Sequence, residues 1–385
     1  MRQVAIIGAG MIPVGEHWEN SLRMLAADAL RLAMADADIT QVDALYVGNA
    51  YGSTFSSQTH LGALIADYAG LVGIEAYAID AAEASGAAAL RTAYLAVASG
   101  AVETALVVGV EKSTDAIGAA RVEGRNISLD ADFESIHGAT LPALAGLLMR
   151  RYMYEYGVEL SAFEGFSMNA HANGKLNANA MFRNVLKPGA FAKASMVADP
   201  INLFDGAPDA DGAAAVILVS EEKAADMVSK PIRILASAAA TDTIALQDRS
   251  DLLHLSAVMR STERALMQAK IMRESIDLME LHDAFTILSA LSLEAAGFAE
   301  RGQGWKPASD SGAGISLKGK LPLSTFGGLK SRGNPVGATG IYQAVEAVLQ
   351  LRGEAGANQV EGASIAFIQN LGGLASSAIS HILGV

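Results

Sequence analysis

The two halves of this 385-residue chain contain the same series of predicted elements, in the same order and at similar spacing. In the first half, each of two predicted helices precedes an apolar strand; the helices cover 21–34 and 86–99, and the strands 44–47 and 105–110. In the second half, the matching helices start at 254 and at 340, and the matching strands cover 275–281 and 364–368. Helices that alternate with buried strands are typical of α/β proteins. The sequence therefore predicts an α/β fold made by duplication of one unit.

The predicted boundary between the halves lies near 221–231, a charged stretch that ends in a proline. We assign 1–225 to the first half and 231–385 to the second. The first half also contains an insertion, about 115–208, with no counterpart in the second. Its Asn- and Ala-rich stretch indicates helices and ordered loops that cover a site as a lid. In that stretch we expect His171 and Asn173 to order loops through hydrogen bonds rather than to bind a ligand.

Composition and charge exclude several classes of function. The net charge of −13 argues against nucleic acid and anionic membranes as partners, although an anionic small molecule could still meet a local basic patch. No apolar run is long enough to span a bilayer, and the first ten residues lack the pattern of a signal peptide, so we expect a cytoplasmic protein. The chain contains no cysteine, which excludes disulfides, thiolate metal sites and thiol catalysis. The dispersed histidines show no metal-site spacing, and we predict no metal.

Glu83 stands in a sharp turn between a predicted strand and a predicted helix. A short apolar stretch, 76–79, reads as a buried strand; small residues follow it, and a helical pattern begins at Gly86. Enzymes often display a nucleophile at such a turn, because small neighbours admit the substrate and the first N–H groups of the helix favour negative charge. Glu83 is therefore either a catalytic carboxylate or a structural one, satisfied by backbone N–H groups in a protein whose catalytic role has lapsed.

A glycine-rich turn occupies the related place in the second half, from Gly333 to Gly340, and it contains Asn334. Duplication puts this turn and the Glu83 turn at related helix N-termini that face one cleft. His282, in the sequence His-Asp-Ala-Phe, is expected in the same cleft, either in a proton-transfer role or hydrogen-bonded within its loop.

These motifs, taken in order, resemble the thiolase superfamily over essentially the whole chain, and within it the archaeal-type and lipid-transfer-protein-like thiolases. The resemblance rests on Gly15-Glu16-His17-Trp18, Ala82-Glu83-Ala84-Ser85-Gly86, His171-Ala172-Asn173-Gly174, Asp211-Gly212-Ala213-Ala214-Ala215, His282-Asp283-Ala284-Phe285, Gly333 to Gly340, and Asn370-Leu371-Gly372-Gly373. It implies a thiolase fold, with duplicated halves in a five-layer αβαβα arrangement, and a homodimer. It also implies an acyl-CoA substrate and a small OB-fold/zinc-ribbon partner of the DUF35 type.

The departures from the family pattern concern its chemistry. Members of the family carry a nucleophilic cysteine where this chain has Glu83, and an activating histidine where it has Asn334. Many carry a second, proton-shuttling cysteine near the position of Asn370. Thiolysis needs a thiolate and a base that generates it, and an asparagine amide cannot accept a proton at neutral pH. The resemblance therefore predicts that this chain lacks ordinary thiolase turnover.

Other parts of the family's machinery can survive these substitutions. The resemblance implies one oxyanion pocket made by the backbone N–H groups of Glu83 and Gly372, and a second made by Asn334 and His282. Tyr342, one turn into the following helix, is a further candidate acid/base. For the CoA phosphates we expect the basic side chains of Arg183, Lys187, Lys330 and Arg332.

A polarised thioester beside a carboxylate, without a thiol, suits retro-aldol cleavage, decarboxylation or α-proton exchange. C–C bond cleavage of the retro-aldol type, or related enolate chemistry, is the preferred prediction, because the resemblance includes thiolase-like aldolases that pair with OB-fold subunits. Decarboxylation fits less well, because an ionised Glu83 would repel a departing carboxylate. No cofactor is expected to stay bound, and coenzyme A enters as part of the substrate. The alternative is a non-catalytic CoA-binding or scaffold subunit for an OB-fold partner.

Overall fold

The structure, a computed structural model, describes residues 2–385 and is built around one nine-stranded mixed sheet. Eleven strands occur in this range: β1 Val4–Met11, β2 Ala44–Gly48, β3 Glu75–Ile79, β4 Thr104–Glu111, β5 Met196–Ala198, β6 Ile201–Asn202, β7 Gly212–Ser220, β8 Ile232–Thr241, β9 Leu278–Glu280, β10 Ile365–Gly372 and β11 Ser377–Gly384. The large sheet has the order β3-β2-β4-β7-β1-β8-β11-β10-β9, and β5 and β6 form a separate pair. The predicted α/β fold is confirmed.

Twelve α-helices cover the sheet within the described range. They are α1 Leu22–Asp36, α2 Gly52–Phe55, α3 Leu61–Tyr68, α4 Ser85–Ser99, α5 Ala119–Arg125, α6 Leu141–Tyr156, α7 Glu164–Leu176, α8 Glu221–Met227, α9 Ser256–Ala269, α10 Thr286–Ala295, α11 Ser309–Gly312 and α12 Thr339–Arg352. Among residues 2–385, no helix is both long and apolar enough to cross a lipid bilayer.

The sheet contains the same strand arrangement twice. In the first half β2 and β4 are parallel, and β7 runs antiparallel to both β4 and β1. In the second half β9 and β10 are parallel, and β11 runs antiparallel to both β10 and β8. The halves join where β1 pairs with β8. This repeat matches the order expected from the sequence, whereas the exact domain limits, 1–225 and 231–385, stay a prediction.

Helices α4 and α12 form the central layer, because both pack on strands of both halves. Helix α1 covers the outer face of the first half-sheet with its apolar side (Leu22, Leu25, Ala26, Ala29, Leu30 and Ala33), and α9 covers the outer face of the second. One predicted detail is wrong: 76–79 was expected as a buried strand, but β3 is the edge strand of the sheet. Its residues are mostly exposed, Tyr77 at 58%.

Glycines allow the first turns of α4 and α12 to touch. A Cβ on Gly86 would lie 2.7 Å from the carbonyl oxygen of Gly337, and a Cβ on Gly48 of β2 would lie 2.5 Å from the Cα of Gly86. Real Cβ atoms do not approach other atoms so closely, so only glycine fits at these positions. The contact brings the Glu83 turn, before α4, next to the Asn334 turn, before α12.

Two buried carboxylates fasten the surrounding loops. Asp211 accepts hydrogen bonds from the backbone N–H of His17 at 3.1 Å and from Lys112 Nζ at 2.9 Å, and it also accepts from Ser113 and Thr114. Burial alone would raise the pKa of Asp211, but the bonds from Thr114 and Lys112 hold it below its usual value. Glu111 similarly links the N–H groups of Ala50, Tyr51 and Gly337.

Replacing Gly86 by alanine should destabilise the protein by about 1–3 kcal/mol. Alanine would favour an isolated helix by about 1 kcal/mol, but here its methyl group would overlap the Gly337 carbonyl. Urea unfolding would measure the change. Gly15→Ala is the control, because no atom lies within 4 Å of a Cβ at that position. Equal stability of the two variants would contradict the close approach of α4 and α12.

Candidate active site

The turn between β3 and α4 holds Glu83 below the surface, with 3% of the residue exposed. Ala82 has a positive φ of 51°, which makes the turn sharp. Ser85 secures the turn, since its Oγ accepts from the N–H of Ala81 at 2.9 Å and donates to the Ala82 carbonyl at 2.6 Å. The side chain of Glu83 is thereby directed into the interior, where α4 begins.

The Glu83 carboxylate accepts three hydrogen bonds. Its Oε1 accepts from the Tyr51 hydroxyl at 2.7 Å and from Ser128 Oγ at 3.2 Å, and its Oε2 accepts from the N–H of Gly373 at 2.6 Å. Burial and the adjacent Glu83 charge raise the pKa of Tyr51 well above its usual value, so its hydroxyl stays a donor. These three donors come from three separate segments and hold the carboxylate in this position.

The first predicted oxyanion pocket differs from expectation in its second donor. The N–H that meets the site belongs to Gly373 rather than to Gly372, and Glu83 Oε2 already occupies it. Gly372 ends β10, and its carbonyl accepts from Ser376 Oγ at 3.1 Å. A substrate oxyanion would therefore have to displace the Glu83 side chain to reach this donor.

His282 and Asn370 form a buried pair beside Glu83. Asn370 Nδ2 donates to His282 Nδ1 at 2.8 Å, which leaves the proton of the neutral ring on Nε2. Burial lowers the pKa of His282 to about 4, although the Glu83 charge opposes this shift, so the ring is neutral at pH 7. His282 is thus suited to donate a hydrogen bond from Nε2 rather than to carry a charge.

Asn334 stabilises its own turn through Oδ1 and also lines a cavity. Its Oδ1 accepts from the N–H of Val336 and from Thr339 Oγ1, both at 3.2 Å, and so holds the turn in place. Its Nδ2 makes no hydrogen bond to any residue in 2–385, and the residue lines the cavity. Asn334 therefore presents an amide N–H that a ligand oxygen could accept.

The cavity has a volume of about 790 Å³ and a mainly apolar wall. Its lining comes largely from the insertion, and it includes Val122, Leu141, Phe182, Val185, Leu186, Val197, Ile201, Leu203, Phe204 and Phe285. Charged groups at its wall are Arg121, Arg125, Asp209 and Lys330. Glu83, His282 and Asn370 are not part of the lining; they lie behind it. This volume falls in the usual range for small-molecule sites.

Three predicted site residues lie in different surroundings from those expected. Tyr342 is fully buried and donates to the Ile12 carbonyl at 2.8 Å, and burial raises its pKa far above the usual value, so it is a core residue rather than an acid/base at the cavity. Arg332 is also fully buried, paired with Glu346 at 2.6 Å, and cannot reach a phosphate in solvent. Lys330 reaches the cavity wall, but its Nζ donates to the Asp205 carbonyl.

Arg183 and Lys187 are exposed, in a segment whose neighbours Phe182, Asn184 and Leu186 line the cavity. They remain predicted phosphate contacts.

A second cavity, of about 700 Å³, lies between α8, α12 and the chain end at Val385, and no predicted site residue lines it. Within 2–385, no cluster of three or more side chains has the arrangement of a metal site.

Sequence reasoning missed the partners of Glu83 and one cation. Tyr51 and Ser128 come from loops 32 and 45 residues away from Glu83 in sequence, and Arg125, at the cavity wall, pairs with Asp209. Nothing in their local sequence marks them as site residues. The predicted hydrogen-bonding role of Asn173 is confirmed: with Asn169 on α7 and Asn177 directly after α7, it donates from its side-chain amide to carbonyls of 323–326.

The fold and this site define a duplicated α/β protein with a buried carboxylate behind an apolar cavity. The family model described as "Thiolase, N-terminal domain" matches residues 4–197, and the one described as "Thiolase C-terminal domain-like" matches residues 238–385. The chain therefore belongs to the thiolase superfamily.

Relatives of known name agree with this assignment. An "Acetyl-CoA acetyltransferase" of Methanothermobacter thermautotrophicus is 41% identical over 384 residues, which are 99% of both chains. Human "Sterol carrier protein 2" is 30% identical over 97% of this chain and 70% of its own length. A solved structure described as "Ltp2-ChsH2(DUF35) aldolase" has a TM-score of 0.86 at 23% identity, and it covers 100% of this chain and 98% of its own, which shows the likeness in fold.

Replacing Glu83 by glutamine should lower stability by about 1–3 kcal/mol, because an amide NH₂ would face one of the donors Tyr51, Ser128 or Gly373. Thermal and urea unfolding would measure it. The matched control is Glu75→Gln, at a surface carboxylate that accepts from the Tyr46 hydroxyl at 2.6 Å. If both variants unfold like the wild type, the three-donor arrangement at Glu83 is not formed.

Proposed function

We propose that this protein binds acyl-CoA thioesters and carries out C–C bond cleavage of the retro-aldol type, or related enolate chemistry, instead of thiolysis. The observation that carries the proposal is a carboxylate, Glu83, held by three hydrogen bonds at the turn where the superfamily resemblance places a cysteine. The acyl-CoA part is supported by the superfamily and by the names of the relatives.

Thiolysis is disfavoured because the chain has no cysteine to form an acyl-enzyme. The carboxylate of Glu83 already accepts three hydrogen bonds, and Asn334 has no basic nitrogen. Correspondence of Glu83 and Asn334 to the cysteine and histidine positions of the family is part of the proposal.

Retro-aldol cleavage needs no thiol and no additional reactant. A base takes the proton of the β-hydroxyl, the Cα–Cβ bond breaks, and its electron pair forms the thioester enolate as the carbonyl product leaves. The enolate then takes a proton at Cα and becomes a shorter acyl-CoA. Asn334 Nδ2, at the cavity, is the donor proposed for the developing oxyanion, an effect worth about 3–4 kcal/mol in other enzymes.

The second candidate is a CoA-binding or scaffold subunit, and a specific observation favours it. Glu83, His282 and Asn370 lie behind the cavity wall, and the hydrogen bonds of Glu83 are already satisfied. A solved structure of the same fold is described as an aldolase together with DUF35, which supports an OB-fold partner here. For either candidate function, we also propose that the protein is a homodimer and that it is located in the cytoplasm.

Incubation with β-hydroxyacyl-, β-ketoacyl- and malonyl-CoA thioesters, read by mass spectrometry, tests the proposal. We expect a β-hydroxyacyl-CoA to yield a shorter acyl-CoA and an aldehyde or ketone, and Asn334→Ala to lower kcat about 100-fold. Asn126→Ala is the control, since Asn126 lines the same cavity but its Nδ2 donates to the Ala139 carbonyl at 3.1 Å. Tight binding of CoA thioesters without turnover, even with an OB-fold partner present, would favour the scaffold.

A cysteine introduced at the turn should not restore thiolysis. Glu83→Cys supplies a sulfur, but Asn334 cannot act as the base that activates it. Acetoacetyl-CoA and free CoA are the substrates, and the loss of acetoacetyl-CoA, followed by mass spectrometry, should be about as slow as in the uncatalysed reaction. Enzymatic thiolysis by this variant would overturn the role assigned to Asn334, and thiolysis by the wild type would overturn the proposed function.

A further inference from the structure

One buried histidine of the cavity has a nitrogen without a partner. His171, on α7, is 7% exposed and lines the cavity, and it is the only histidine that does so within 2–385. Its Nδ1 lies 3.1 Å from the Asn184 carbonyl, so Nδ1 carries the hydrogen and donates it. Its Nε2 makes no hydrogen bond to a described residue. The neutral ring therefore has a free lone pair on Nε2.

The ring is held firmly in this orientation. Phe182 stacks on it with a centroid distance of 6.4 Å, and Phe204 meets it edge to face at 6.0 Å. The C-terminal part of α7 is fixed by the side-chain amides of Asn173 and of Asn177, the residue directly after the helix, which donate to carbonyls of 323–326. A base needs such support, since a ring that is fixed in tautomer and direction can accept a proton without reorganisation.

The charges around the ring keep it neutral. Burial lowers the pKa of His171, and the adjacent Lys330 ammonium lowers it further, although the Asn184 carbonyl opposes both. The other charged groups of the cavity wall are Arg121, Arg125 and Asp209, and Arg125 and Asp209 form an ion pair. At pH 7 the ring is thus available as an acceptor.

Other candidate bases are less accessible. Glu83 already accepts three hydrogen bonds, His282 Nδ1 already accepts from Asn370, and neither residue lines the cavity. We infer that His171 Nε2 accepts a hydrogen bond from a hydroxyl of the ligand in this cavity and takes its proton. This inference rests on the proposed function for the ligand, a β-hydroxyacyl-CoA. The proton moves from the β-hydroxyl oxygen to Nε2 as the Cα–Cβ bond breaks.

Two variants separate this role from packing. In His171→Asn, the amide nitrogen can replace Nδ1 as the donor to Asn184, but the acceptor at Nε2 is lost. In His171→Gln, the amide reaches the position of Nε2 and can still accept a hydrogen bond, but it cannot take a proton. The control His137→Asn removes an exposed histidine outside the cavity.

The first measurement compares binding of 3-hydroxybutyryl-CoA and butyryl-CoA by calorimetry. We expect the wild type and His137→Asn to bind the hydroxylated thioester about tenfold more tightly. This preference should disappear in His171→Asn and persist in part in His171→Gln. Absence of the preference in the wild type, or its survival in His171→Asn, would overturn the inference while leaving C–C cleavage untouched.

The second measurement follows turnover of whichever β-hydroxyacyl-CoA the wild type cleaves. Both His171 variants should lower kcat about 100-fold or more, since neither can take a proton. The rate in the wild type should fall only at a pH below the ordinary titration range of histidine, because burial lowers the pKa of His171. Unchanged kcat in His171→Asn would assign the proton to another base.

The third measurement needs no CoA thioester, so it decides the inference even if the proposed function fails. Diethyl pyrocarbonate acylates an accessible unprotonated histidine nitrogen, and mass spectrometry locates the product. At pH 7 we expect modification at His171 and none at His282, whose ring lies behind the wall. Modification of exposed His137 without modification of His171 would show that Nε2 is closed to ligands and would overturn the inference.

Discussion

The contact between the first turns of α4 and α12 is the constraint on which the rest of the structure depends. It exists because Gly86 and Gly340 have no side chain where the two backbones meet: a Cβ on Gly86 would lie 2.7 Å from the Gly337 carbonyl oxygen, and a Cβ on Gly340 would lie 2.4 Å from the backbone nitrogen of Ala87. The two turns before these helices come from different halves of a duplicated sheet, more than 200 residues apart in sequence. Their meeting places the Glu83 carboxylate and the Asn334 amide on the same side of the central helical layer, and Glu111 reinforces it by accepting from the N–H groups of both Ala50 and Gly337.

Several ionisable side chains are buried close together behind the cavity wall. Arg332 pairs with Glu346 at 2.6 Å, and the carboxyl groups of Asp283 and Glu280 lie close enough to affect the pKa of Arg332. Burial raises the pKa of Glu280 well above its usual value, and the Glu346 charge raises it further. A buried ion pair adds little net stability, because the loss of hydration offsets the attraction. Its effect here is positional: it fixes the segment 328–332 that carries Lys330 to the cavity wall and leads into the Asn334 turn.

The hydrophobic periodicity of the sequence predicts the helices and strands of the fold, but not which side chains surround Glu83. Helix α4 lies within one residue of its expected limits, and α12 begins within one residue of its expected start, because their apolar faces repeat at helical spacing over several turns. The strand at 76–79 was expected to be buried because its residues are apolar, yet β3 is an edge strand, and edge position depends on partners that the local sequence does not specify. Arg332 and Tyr342 were expected at the site because they lie close in sequence to the Asn334 motif. Sequence proximity does not determine the direction of a side chain, and both side chains point into the core. Tyr51 and Ser128 could not be found at all, since only tertiary folding brings their loops to Glu83.

The position of the Glu83 carboxylate has a consequence for where chemistry can take place. The Glu83 side chain reaches across the turn to the Gly373 N–H and occupies this donor. At this turn the Glu83 carboxylate and the Gly373 N–H are therefore already engaged with protein groups. Groups that remain open lie on the cavity wall instead: Asn334 Nδ2 as a donor and His171 Nε2 as an acceptor. The polar groups that a ligand could reach thus lie at the apolar cavity rather than at the Glu83 turn.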